Sequence, residues 1–387
     1  MKTSTVLRRM GLTSSALSVF FLPALLVKTP TALATTYSFT ALPGVGAQSA
    51  AIGVNSTGTV VVGWEDDAAG TQQAFSYFNG VMTDLGTLGG TASYATAVND
   101  SGTVMGGADM VGGGHEHAFS DSSGTMTDLG TLGGSYSAAW GINDSGHVVG
   151  WADNAADVKY AFEASPGLSM SKIPIYGELG IQSSAAYAIN GTGTAVGKIE
   201  ESGGSSYYAA IFQSDGYAAD LGTLGGNASM AWSINDSGTV VGQAEVSSGT
   251  YHAFSYTAAS GMRNLGTLGG SASYAYAVNA SGVIVGLAEN SAGNKHAFVY
   301  ADGMMTDLNT VAVGLPNDFT LEYANDISSA GVIVGTGING SGGYEAYILT
   351  PVPEPNTTAL LAAIGVGLVL LKRRNNSVTL DGKSSSP

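Results

Sequence analysis

Six carboxylates occupy one recurring place in this chain. Asp66, Asp109, Asp153, Glu200, Glu245 and Glu289 each stand three residues after a glycine that closes a Val/Ile-rich segment, and Ile338 holds the seventh such place. Carboxylate oxygens suit Ca²⁺, and acids beside aromatic rings suit a glycan. Trp64 and Trp151 lie two residues before two of them in sequence. These eight residues form the candidate ligand or Ca²⁺ face; a solvated acidic rim is the plainer reading of the same pattern.

Other chemistry-bearing residues repeat as well. His117, His252 and His296 hold equivalent positions, with Gln73, Tyr160 and Ala209 as counterparts elsewhere. Equivalent positions in separate repeats do not share one metal ion. His115-Glu116-His117 is a tempting trio, but on a strand Glu116 faces away from both imidazoles. No zinc site is expected at these histidines. Asp84, Asp128, Asp220 and Asp307 recur once per repeat, as turn-capping acids do. No nucleophile–base pair and no Gly-x-Ser-x-Gly elbow appears. The glycine-rich turns lack the lysine and helix of a phosphate loop. A glycosidase or lyase needs two singular carboxylates some ~5–9 Å apart. Lys198, Glu200 and Glu201 form the one irregular cluster. The chain reads as non-catalytic.

The elements that carry these residues follow from composition and period. There are 57 glycines, 10 prolines and no cysteine, and charged residues make up only 11%. Disulfides and thiolate chemistry are excluded. With 44% hydrophobic residues the chain has enough apolar surface to fold. The net charge of −16 leaves no basic patch for phosphates, so no nucleic-acid partner is expected. A Val/Ile-Asn turn ending in glycine recurs at Gly58, Gly102, Gly146, Gly193, Gly238, Gly282 and, degenerately, Gly331. Each unit reads as four strands: Ala-x-small-Val/Ile-Asn, a Val/Ile-rich strand, a His-Ala-Phe strand, and Met-Thr-Asp-Leu-Gly-Thr-Leu-Gly-Gly. In the turn between the first two, Asn and Gly tolerate the positive φ that a tight hairpin needs.

Four strands per ~45 residues is the period of a β-propeller blade. The expected fold is all-β: a seven-bladed propeller closed by an N-terminal strand. The seventh unit lacks a fourth strand, and an orphan fourth strand, Tyr37 to Leu42, stands before the first unit. Pairing the two removes exposed edges. An elongated β-solenoid and a pair of β-sandwiches are the alternatives. Four residues before the turn Asn position, every unit has alanine: Ala51, Ala95, Ala139, Ala186, Ala231, Ala275 and Ala324. Three before it stand Trp140, Tyr187, Trp232 and Tyr276. Strand alternation predicts one small and one bulky face, with the bulk of one blade fitted against the small face of the next.

The His-Ala-Phe and Asp-Leu-Gly-Thr-Leu-Gly-Gly units resemble the HAF repeat of bacterial extracellular proteins, over nearly all of residues 37–350. That resemblance implies an extracellular place rather than an activity.

The two ends read as addresses. Residues 1–34 form a signal peptide: Lys2, Arg8 and Arg9, an apolar stretch from Leu12 to Val27, then Ala32-Leu33-Ala34 for cleavage. The propeller takes 35–351. Residues 352–374 hold Val352-Pro353-Glu354-Pro355, an apolar segment from Thr357 to Leu371, and Lys372-Arg373-Arg374. Fifteen helical residues reach only ~22 Å, short of a ~30 Å hydrocarbon core. The basic cluster would stay cytoplasmic. This layout resembles the PEP-CTERM sorting signal. The resemblance implies processing by an exosortase near Pro-Glu-Pro, a transient inner-membrane anchor, and release to the cell surface or matrix. Residues 375–387 are an expected disordered tail, longer than in that family.

The expected function is an exported surface or matrix protein for structure or adhesion, with extracellular polysaccharide as a partner. The alternatives are a lectin-like glycan- or Ca²⁺-binding propeller and, behind it, a propeller glycosidase or lyase.

Overall fold

The computed structural model describes residues 36–353, apart from 43, 45, 168, 176–179, 202–205, 214, 215 and 248. The expected signal peptide, the apolar C-terminal helix, the basic cluster and the tail lie outside the described residues. Seven sheets follow one another along the chain, and six of them are four-stranded meanders in sequence order. The second blade is typical: Gly89–Val98, Val104–Met110, Glu116–Asp121 and Met126–Asp128. The seventh sheet contains Thr320–Ile327, Ile333–Ile338 and Tyr344–Pro351. Beside the last of these lies Tyr37–Ala41, antiparallel, with Phe39 opposite Leu349. A two-residue strand, Ala312–Val313, runs parallel to it on the outside. The protein is thus an all-β, seven-bladed propeller.

The recurrent Ala-Phe pair explains how the blades interlock. Neighbours on a strand face opposite sides of a blade. Phe119 faces the preceding blade and packs with Ala74 there, while Ala118 faces the following blade and receives Phe162. Phe254 meets Ala209, Phe298 meets Ala253, Tyr347 meets Ala297, and Phe75 of the first blade meets Ala346 of the seventh. The alanine four before the turn lines the same seams and is fully buried in all seven blades.

The fourth blade departs from this rule. Strand register places Ala210 where five blades have phenylalanine and the seventh has Tyr347, because Gly197 pairs with Ala210 as Gly242 pairs with Phe254. The same register makes Tyr208, not Ala209, the counterpart of the histidines. Ile199 stands where Ala244 stands in the next blade, and it packs with Ala210 and Phe212. Volume lost at one position returns at another, which conserves the packing of the seam.

The first strands carry an unexpected irregularity. In every blade the register slips between the buried alanine and the residue two after it, for example between Ala139 and Gly141. The residue skipped is the one three before the turn, such as Trp140. A bulge breaks the alternation and re-aims its side chain. The expected packing of Trp140, Tyr187, Trp232 and Tyr276 against the next blade's small face is therefore incorrect: the seams take the phenylalanines, and these four rings line the central channel. The bulge also fixes the glycine of each second strand. A Cβ on Gly242 would lie 1.9 Å from the Met230 carbonyl oxygen, and one on Gly150 2.1 Å from that of Ala138.

Side-chain hydrogen bonds tie the ring together at both ends of the first strands. Near the start, Ser137 Oγ donates to the Gly130 carbonyl and accepts from Ala118 N of the preceding blade at 2.8 Å. Ser49 accepts from Ala346 N in the same way, joining the seventh blade to the first. At the other end, the Nδ2 groups of Asn99, Asn143, Asn190, Asn235 and Asn279 each donate to the matching carbonyl of the next blade, at 3.0–3.2 Å. Only the turn glycine adopts positive φ, +81° at Gly102. The asparagine is there for its side chain, since Asn99 Oδ1 also accepts from Thr103 N.

Candidate functional site

The six repeated acids stand at the ends of the second strands, beside the connectors that enter the first strands. Four are engaged locally. Asp109 Oδ2 accepts from Thr91 Oγ1 and Ala92 N, Glu245 Oε2 from Asn227 N, and Glu289 Oε2 from the hydroxyl and N–H of Ser271. Those bonds from Ser271 hold the Glu289 carboxyl below its usual range. Glu200 accepts from Lys198 Nζ and Ser183 Oγ, both at 2.5 Å. Burial alone would raise its pKa, but these two bonds and the Lys198 charge bring it below the ordinary value. Asp153 is raised by burial, with the Lys159 ammonium opposing that shift. Asp66 ends its strand opposite Gln72.

Trp64 and Trp151 pair across strands with Ala50 and Ala138, large against small. The Lys159 ammonium sits 3.4 Å over the Trp151 ring. Among the described residues no three of His, Asp and Glu converge on a common point that could hold a metal ion.

The histidines and the repeated aspartates belong to each other. His117 Nδ1 lies 3.0 Å from Asp128 and His296 Nδ1 2.6 Å from Asp307, joining third strand to fourth. His252 meets Asn264 in the same way. Asp128 Oδ1 also accepts from Gly130 N, closing the turn after it. Glu116 does not join its flanking histidines. It receives the Tyr94 hydroxyl at 2.6 Å, and burial raises its carboxyl pKa.

The opposite end of the ring holds a cup of about 500 Å³, centred on the channel. Its aromatic side comes from blades three to six: Trp140–Tyr187 at 5.7 Å edge-on, Tyr187–Trp232 at 4.7 Å and Trp232–Tyr276 at 6.4 Å between ring centroids. Trp232 Nε1 donates to Gln243, while Trp140 Nε1 is buried without an acceptor. Above the rings, the Val and Ile that precede each turn asparagine form an apolar band. Asp144 and Asp236 stand at the rim, where Asp100 N donates to Asp144 Oδ1 at 2.9 Å and Gly191 N to Asp236 Oδ1 at 2.7 Å.

Blade seven contributes an amide and a carboxylate where polar counterparts elsewhere are hydroxyls: Thr96 holds the bulge position in blade two and donates to the Ala139 carbonyl at 2.9 Å, and Ser233 holds the position two after the buried alanine in blade five. Asn325 takes the bulge position, and its Nδ2 donates to the Ala51 carbonyl of blade one at 2.8 Å. Asp326 takes a position held elsewhere by Gly, Ala or Ser. Its Oδ2 accepts from Val54 N of blade one at 2.9 Å and its Oδ1 from Ile327 N at 2.8 Å. Burial raises its pKa to about 6 despite these bonds.

Sequence reasoning missed this cup. It treated the aromatics as seam packing, and it set the seventh repeat aside as degenerate. The signal was present: aligning the seven turns column by column isolates Asp326 as the one acid in its column. Of the C-terminal motif, Val352 N donates to the Thr36 carbonyl at 2.8 Å and Pro353 follows. Glu354, Pro355, Lys372, Arg373 and Arg374 lie outside the described residues.

Fold and site together define a seven-bladed propeller with a channel cup. No protein-family model matches the chain, and no curated protein does. Among solved structures, it is similar to a puromycin-hydrolysing peptidase of Mycobacterium tuberculosis at 12% identity and a TM-score of 0.48, over 81% of this chain and 56% of that one. It is similar to TolB of Acinetobacter baumannii at 13% identity and a TM-score of 0.41, over 54% and 52%. The BP39L lectin of Burkholderia pseudomallei aligns over 82% and 98% at 8% identity and a TM-score of 0.41. The chain thus spans little more than half the length of the peptidase and of TolB.

Proposed function

We propose that this protein is an exported binding propeller of the cell surface or extracellular matrix, delivered by a cleaved signal peptide and a PEP-CTERM-type tail. The observation that carries the reading is how the polar side chains are used. The repeated histidines and aspartates bond within their own blades, while the asparagines bond from blade to blade. These bonds serve the scaffold, while Asp326, the one acid among the seven residues at its position, lines the cup. Binding or adhesion fits this arrangement better than catalysis. The Lys198–Glu200 pair, the one cluster that suggested a glycosidase or lyase, is bonded to itself and to Ser183.

In this reading the strand Tyr37–Ala41 is a latch that holds the ring shut, and extracellular polysaccharide is the partner class. The tail would hold the chain in the inner membrane until an exosortase cleaves it. Expression beside an exosortase, with mass spectrometry of the released form, tests delivery. The expected product begins at Thr35 and ends near Pro355. A full-length chain retained in the membrane with intact exosortase would overturn the sorting half of the proposal. A polysaccharide-binding assay on residues 36–351, with and without Ca²⁺, tests the binding half.

A further inference from the structure

We infer that the channel cup is a binding site for an organic ammonium ion: a protonated amine or quaternary nitrogen on a small ring or chain. This rests on the binding-propeller reading and gives its ligand a chemistry. Three features of the cup converge on it. The first is charge. Asp144, Asp236 and Asp326 line the cup, and no lysine, arginine or histidine does. Across the seven hairpins at this end, His147 is the one residue able to carry positive charge.

The second feature is the aromatic arc. Trp140, Tyr187, Trp232 and Tyr276 form a continuous wall of π-systems over four blades, and bulges project them inward. Aromatic faces attract cations, most strongly tryptophan, and the attraction grows where water is excluded. The third feature is what the cup lacks for neutral polar ligands. Its turn asparagines are already committed: Asn143 Oδ1 accepts from Ser145 N and His147 N, and its Nδ2 donates to the next blade. The apolar band above the rings offers nothing to a hydroxyl. A neutral sugar would pair with the Trp140 Nε1 donor and the rim carboxylates, but only an ammonium ion adds charge attraction to both the rings and the carboxylates. The volume, about 500 Å³, falls in the range of small-molecule sites.

Two sources carry this chemistry, an amino-sugar residue of a polysaccharide and a free alkylammonium. Trp140 and Trp232 make intrinsic fluorescence a direct reporter. The experiment titrates residues 36–351 with tetramethylammonium, choline and glucosamine, and with the neutral partners tert-butanol and glucose, at matched ionic strength. The cations should bind at least tenfold more tightly than their neutral partners. Asp236→Asn keeps the oxygen that accepts from Gly191 N, so the ring should fold with an unchanged melting temperature. It should weaken the cations at least threefold and leave the neutral probes unmoved.

Tighter binding of glucosamine than of choline identifies a polysaccharide source; the reverse identifies a free amine. Equal binding of charged and neutral probes, or no binding of any cation, overturns the inference. Polysaccharide capture that persists in Asp236→Asn while cations fail to bind would sink the cup and leave the matrix-binding proposal standing. Loss of matrix capture with cation binding intact would do the opposite.

Discussion

At the scale of single residues, the interior works by size exchange. The Ala-Phe pair was legible as a repeat, but its purpose was not. Sequence shows that a phenylalanine recurs; only the register shows that it crosses to an alanine of the blade before. Blade four makes the argument testable, because it reaches the same fill by another route. Ile199→Ala should open a cavity and cost about 2–5 kcal/mol. Ala210→Phe alone should overpack the seam and cost about 1–3 kcal/mol. Made together, the two changes rebuild the arrangement of the other blades and should recover most of the loss. Denaturant unfolding of the four proteins closes the cycle, and simple additivity would refute the exchange.

At the scale of elements, the first strand of each blade depends on a bulge that no alternation rule reveals. The strand, its hairpin and its period could all be read from the turn glycines and the Val/Ile pattern. The side on which Trp140 or Trp232 falls could not, because period-two reasoning fails at an inserted residue. The second-strand glycine held the missing information. A Cβ on Gly242 would strike the Met230 carbonyl, so glycine is required where the bulge brings two backbones together. Gly242→Ala should force that carbonyl away and cost about 2–3 kcal/mol, in the upper part of the usual range for one substitution. It should also draw Trp232 from the channel, read as a change in tryptophan emission at temperatures where the protein is still folded. An unchanged spectrum with lowered stability would place the strain elsewhere. The candidate acids were legible as a repeated set at strand ends. Their bonds to the connectors were not, since these depend on a loop conformation that spacing does not fix.

At the scale of the whole molecule, everything turns on the seam between blades seven and one, where the first and last described strands pair. Tyr37–Ala41 covers the outer edge of Tyr344–Pro351, and a chain starting at Leu42 would expose that edge. Such a chain should unfold at lower temperature and associate through the freed strand, which sedimentation would detect. The inner side of the same seam holds Asp326, whose carboxylate takes the Val54 N–H across the junction. Its pKa, about 6, is raised above the ordinary 3.8 because burial disfavours the charged form. The folded state therefore binds a proton more tightly than the unfolded state does. The resulting stability is fully present below about pH 4 and is lost as pH rises through 6. Other acids titrate over the same window, so the comparison must be with a variant. Serine is the natural replacement, because Ser233 occupies this position in blade five and accepts from Val278 N of the next blade. In Asp326→Ser, the fall in melting temperature between pH 4 and pH 7 should be smaller than in the parent. The two proteins should converge or cross toward pH 7, where the buried carboxylate costs most. Parallel curves across that range would mean that the seam carboxylate is as well solvated as a surface acid.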